Sequence, residues 1–185
     1  MHGAVGHPSP WLQRWVHLLP DAAHVLDVAC GSGRHVRWLA ARGFRVSGVD
    51  RDAAAVAALR PLADVIVADI EAGPWPLAGQ RFDAVLVTNY LWRPLLPTLV
   101  DSVADGGLLI YETFADGQQS VGRPSRPDFL LQPGELITAC AGLRVLAYED
   151  GFLPDPDRFV QRIVAARNPA ALARCPLDGA PGAGS

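Results

Sequence analysis

The stretch Val25-Leu26-Asp27-Val28-Ala29-Cys30-Gly31-Ser32-Gly33 constrains the fold more than any other part of the chain. A short apolar run is broken by two glycines, and a helix-like pattern follows at 34–42, closed by Gly43. Glycine reaches backbone angles that other residues avoid, so the pair marks a sharp strand-to-helix turn and Gly43 a helix end. The alternation then repeats, with apolar runs at 45–49, 64–68, 82–88, 108–113, 143–148 and 158–166. Near-continuous apolar runs of this length belong to strands buried on both faces of a parallel sheet. Between them, Asp52 caps a helix that ends before Pro61, and Pro94 and Pro97 confine another to 95–104. Gly73-Pro74-Trp75-Pro76 reads as loop, Asp105-Gly106-Gly107 as a turn, and a further helix starts near Pro133. The pattern predicts an α/β fold with a doubly wound, seven-stranded, mostly parallel sheet. Too few residues separate the last two runs for a parallel crossover, so the final strand is expected to be antiparallel.

At 185 residues, half of them apolar and 19% charged, the chain suits one packed domain. Residues 23–167 carry the pattern just described. Ahead of them, Trp11, Trp15 and Leu18 lie at helical spacing, so 1–22 reads as a helical segment that packs on the sheet and helps close the site. The Ala-, Pro- and Gly-rich stretch 168–185 reads as a flexible tail, and the polar loop 115–128 as a lid or binding loop.

Charge and residue counts exclude several chemistries. The net charge of −3 offers no bulk attraction to phosphate polymers, so no nucleic-acid partner is expected. All 16 basic residues are arginine, which removes lysine Schiff-base chemistry and the Walker-type phosphate loop. The cysteines Cys30, Cys140 and Cys175 are scattered, a poor basis for a metal site and a fit to a reducing compartment. With no secretory leader and no apolar run long enough to span a bilayer, a cytoplasmic protein without a membrane partner is expected.

The ligand chemistry follows from what stands at the strand ends. Backbone amides of Ala29, Cys30, Gly31 and Gly33 open toward a ligand at the glycine turn, with Arg34 at the helix start. A dinucleotide fingerprint needs a third glycine where this chain has Val36. Asp27, just ahead of the turn, suits a cationic amino group and repels a pyrophosphate. Asp50 ends the second strand, where a carboxylate accepts from both ribose hydroxyls, a feature common to several nucleoside cofactors. Asp69 ends the third strand with Ile70 beside it, placed to meet the edge and face of an adenine, and Asn89 ends the fourth.

Over roughly 20–167 these residues resemble the class I S-adenosylmethionine-dependent methyltransferases, within a grouping similar to tellurite-resistance and thiopurine methyltransferases. The resemblance implies S-adenosylmethionine as cofactor. It puts Asp27 and the Ala29–Gly33 backbone at the methionine end, Asp50 at the ribose, Arg51 on an adenine face, and Asp69 with Ile70 at its edge. Ala29 departs from the commoner glycine. It also implies methyl transfer to a small-molecule acceptor, with Trp11, Tyr90, Arg93, Tyr111, Glu112 and His7 as candidates near that acceptor. No general base is named by the sequence. A nicotinamide oxidoreductase and a non-catalytic cofactor-binding module are the alternative readings.

Overall fold

The computed structural model describes residues 6–168. Seven strands, β1 (His24–Val28), β2 (Arg45–Asp50), β3 (Asp64–Val67), β4 (Phe82–Thr88), β5 (Val103–Phe114), β6 (Arg144–Leu153) and β7 (Arg158–Ala166), form one sheet in the order β3-β2-β1-β4-β5-β7-β6. The pairs among the first five strands are parallel, and β7 runs antiparallel to both β5 and β6. This is the expected doubly wound, mostly parallel sheet with an antiparallel last strand.

The apolar runs bury both faces because successive side chains point to opposite sides. On β1, Leu26 and Val28 join one core cluster with Val85, Val87, Leu109 and Tyr111, while Val25 joins a second with Leu86, Leu108 and Ile110. Helices α4 (Leu96–Asp101) and α5 (Glu135–Ala139) cover the first face through Leu99 and Leu136. The second face takes α1 (Pro10–Trp15) and α2 (Arg34–Ala40), through Trp11, Leu12, Trp15, Val36 and Leu39. Helix α3 (Ala53–Ala57) starts where expected, with the Asp52 carboxylate accepting from the amides of Ala54 and Ala55.

Three boundaries differ from expectation, each for a tertiary reason. Asp105-Gly106-Gly107 is not a turn before β5 but a bulge inside it, since Val103 already pairs with Phe82 and the register shifts before Leu108 meets Ala84. At Gly106 the backbone is left-handed (φ +77°), and a Cβ on Gly107 would stand 2.9 Å from the Asp83 carbonyl oxygen. The helix expected over 95–104 therefore stops at Asp101. Strand β6 runs on to Leu153 because the antiparallel β7 continues to pair with it as far as Arg158. Helix α1 packs on the sheet as expected, with Trp11 and Trp15 each 1% exposed in the second core. The tail expected at 168–185 lies, beyond Asn168, outside the described residues.

Candidate cofactor and acceptor site

Strand order reverses between β1 and β4, and in open α/β sheets ligands bind at the carboxyl ends of strands beside such a reversal. The turn after β1 is built for close approach. Ala29, Gly31 and Gly33 all hold left-handed backbone, at φ +53°, +52° and +78°. That conformation is routine for glycine and strained for alanine, so Ala29 occupies a position where glycine is the easier residue. Gly33 is further constrained by Leu59, whose methyls leave no room for a Cβ.

One cavity lies against this turn. Ala29, Asp50 and Arg51 form one side of it, Ala68, Asp69 and Ile70 the other, and Glu71 and Tyr90 close it. Asp50 and Asp69 thus share a cleft, as their places at the ends of neighbouring parallel strands require. Asp50 also braces the turn: its Oδ2 accepts from the Gly31 amide at 2.7 Å and its Oδ1 from the Asp52 amide at 2.9 Å. A carboxylate has about four acceptor positions, so two remain for a ligand. Asp69 Oδ1 accepts from the Glu71 and Ala72 amides, and these bonds hold its carboxyl below the ordinary value, leaving Oδ2 free of them.

Asp27 lies beneath the turn and is 1% exposed. Neither carboxylate oxygen has a hydrogen-bond partner among the described residues, and the nearest cationic candidate, His35 Nδ1, is 3.7 Å from Oδ2. Burying an unpaired carboxylate is costly, so the position is suited to a ligand that brings a positive group to it. His35 is 2% exposed. Its Nε2 accepts from the Ser9 amide at 3.2 Å, which puts the ring proton on Nδ1, facing Thr88 Oγ1 and Asp27. Ser9 caps α1 and donates from Oγ to Glu112 at 2.9 Å. Glu112 in turn pairs with Arg162, which also binds Glu149, itself bonded to Arg14. A continuous polar chain therefore runs from the floor of the site to the edge of the sheet.

A second, roomier cavity adjoins the first across Glu71 and Tyr90, which line both; its volume is about 300 Å³ against about 140 Å³. Its other walls are Asn89 and Leu91 after β4, Thr113 and Phe114 at the end of β5, and Pro124 and Phe129 from the long loop. Asn89 sits in left-handed backbone (φ +54°) with its amide donating to the Glu112 carbonyl oxygen, which turns the chain into this wall. The Tyr90 hydroxyl is buried, and burial, with the Glu71 carboxylate beside it and Asp69 nearby, pushes its phenol well up, so it stays protonated.

Several candidate residues are placed elsewhere. Trp11 is core, its indole N–H donating to the Ile163 carbonyl oxygen at 3.3 Å. Tyr111 is buried and donates to the Tyr90 carbonyl oxygen at 2.8 Å, so it shapes the wall from behind. Glu112 is occupied by Ser9 and Arg162. Arg93 is bidentate to Glu135 and donates to the carbonyls of Asp128 and Leu130, pinning the end of the long loop. His7 is exposed. Cys30 is buried against Gly48, and burial next to Asp27 pushes its thiol up to about 12, which removes it as a nucleophile. Arg34 opens α2, half-buried beside Gly6. Sequence reasoning missed Glu71, four positions past the end of β3, and the aromatic walls Phe114 and Phe129. Only the position of Phe114 at the end of a central strand signalled a site residue.

Comparison with known proteins fits this geometry. Residues 25–106 match the family model described as a methyltransferase domain. The trans-aconitate 2-methyltransferase of Paracidovorax citrulli is 34% identical over 119 residues, which are 58% of this chain and 45% of that relative, so the chain spans less than half of the curated relative it matches. TehB from Haemophilus influenzae superposes with a TM-score of 0.67 at 19% identity, over 90% of this chain and 62% of that one. An S-adenosylmethionine-dependent methyltransferase from Methanosarcina mazei superposes at 0.68 and 15% identity, over 88% of this chain and 99% of that one.

Proposed function

We propose that this chain is a class I S-adenosylmethionine-dependent methyltransferase and that it transfers a methyl group to a small-molecule acceptor held in the second cavity. The observation that carries this reading is the shared cleft of Asp50 and Asp69, beside a glycine turn laid over a buried, unpaired Asp27. Those donors and acceptors match the ends of one adenosyl amino acid. Asp27, with the backbone from Ala29 to Gly33, takes the amino-acid end, and Asp50 accepts from the ribose hydroxyls. Arg51 and Ile70 flank the adenine, with Asp69 at its edge. The cofactor supplies a methyl group already activated on a sulfonium. The protein has to hold an acceptor in line with it, which converts a bimolecular encounter into a positioned one. Tyr90, which lines both cavities, and Asn89, which lines the second, orient the acceptor.

A small acceptor is favoured by the confined second cavity and by the name of the Paracidovorax relative. Cytoplasmic residence belongs to the same proposal, resting on the buried free thiols Cys30 and Cys140; among the described residues no helix is long and apolar enough to cross a membrane. Titration calorimetry with S-adenosylhomocysteine is the direct test. Binding in the micromolar range is expected, and no heat at millimolar ligand would end the methyl-donor reading.

A further inference from the structure

The second cavity holds a charge pattern that narrows the acceptor. Among its lining residues Glu71 is the one ionisable carboxylate, and no arginine contributes to the wall. Three arginines neighbour that wall in the chain, and none of them lines it: Arg123 precedes Pro124, and the other two are paired. Arg93 is held by Glu135, and Arg126 pairs with Asp128 at 2.9 Å. Arg51 lines the cofactor cavity only, and the whole chain has no lysine to lend. Around Glu71 the walls are apolar or neutral: Leu91, Phe114, Pro124 and Phe129, with Asn89 and Thr113 as hydrogen-bonding groups.

Building on the methyl-transfer reading above, we propose that the acceptor is a flat apolar molecule bearing an amine nitrogen, and not a polycarboxylate. Charge bookkeeping of the transfer gives the reason. When a neutral amine is methylated, its lone pair forms the nitrogen–carbon bond as the carbon–sulfur bond breaks with its electrons passing to sulfur. The positive charge moves from sulfur to nitrogen and is not cancelled. A carboxylate standing beside both cavities attracts that charge at the start and at the end, and it accepts the N–H proton that the product ammonium sheds. An anionic acceptor gains nothing here. Glu71 repels it on entry, and no cation in the wall offsets its desolvation. The rings of Phe114 and Phe129 favour a planar, apolar body, and a cation beside an aromatic face is attracted by it as well.

The test uses the full chain saturated with S-adenosylhomocysteine and two probes of matched shape and opposite charge, benzylamine and benzoate. Calorimetry should show benzylamine binding about tenfold more tightly, the scale of one partly screened charge pair at short range. Glu71→Gln should bring the two within about threefold. Its far-ultraviolet circular dichroism should match the parent's, since Glu71 is exposed. Benzoate binding as well as benzylamine, neither probe binding, or a preference that survives in Glu71→Gln would each overturn the inference. Failure of S-adenosylhomocysteine to bind wild-type protein is a separate result, which removes the methyl-donor reading itself.

Discussion

Gly33 offers the sharpest check on the turn that forms the site, because two independent physical terms meet there. Its backbone is left-handed at φ +78°, and a Cβ built on it stands 2.3 Å and 2.6 Å from the two methyls of Leu59. Replacing glycine by alanine in that conformation costs about 1–2 kcal/mol. Leu59 is fully buried and has nowhere to swing, so overpacking adds about 1–3 kcal/mol. Gly33→Ala is therefore expected to destabilise the fold by about 2–5 kcal/mol, the sum of those two terms. Leu59→Ala alone opens a cavity and costs about 2–5 kcal/mol. The two changes compete for the same space, so the double variant should be more stable than their sum by at least about 1 kcal/mol. Urea unfolding followed by far-ultraviolet circular dichroism and by tryptophan fluorescence gives all four corners of the cycle. A Gly33→Ala protein within about 0.5 kcal/mol of the parent, or a coupling no larger than the usual additivity error, would refute the reasoning.

Asp50→Ala should weaken S-adenosylhomocysteine binding by about 1–3 kcal/mol, the range for hydrogen bonds to a charged group, with the far-ultraviolet spectrum unchanged; unaltered affinity would move the ribose elsewhere. Acid stability should depend on two carboxylates. At Glu149 burial works against the charge, but Arg162 and Arg14 prevail and hold it below its ordinary value; at Glu135 Arg93 and the Gln132 amide do the same. A depressed folded-state value stabilises the protein above the unfolded value near 4.5, and that contribution is lost as pH falls through the folded value. Denaturant midpoints should therefore drop between about pH 6 and about pH 3, and drop less in Arg162→Met; an identical fall in both proteins would remove Glu149 from the account.

The parallel core was readable because its signals are local. Apolar runs, a glycine pair and capping residues such as Asp52 act within a few positions, and the structure keeps all of them. Strand-end acids were readable for the same reason, since the carboxyl end of a parallel strand is where its chain leaves the sheet. What stayed hidden depends on partners distant in sequence. Asp105-Gly106-Gly107 has turn chemistry, yet its pairing with β4 makes it a bulge. Arg93, Tyr111 and Glu112 are the kinds of residue a ligand site uses, and each is occupied by Glu135, Tyr90 or Ser9 instead. Glu71 carried no motif of its own; only the proximity of the loop that brings Phe129 across from it reveals a second cavity.

The position of β7 inside the sheet, between β5 and β6, has a consequence for biosynthesis. While the ribosome is still making the chain, β5 is an open edge rich in buried-type side chains, Leu108, Leu109, Ile110 and Tyr111 among them. Its partner on that side, β7, is the last of the described strands to emerge. Unpaired apolar edges recruit other chains, so a nascent or prematurely terminated product ending before Arg158 would present a surface prone to intermolecular pairing. The antiparallel insertion that completes the sheet is thus also the step that makes the molecule safe in a crowded solution.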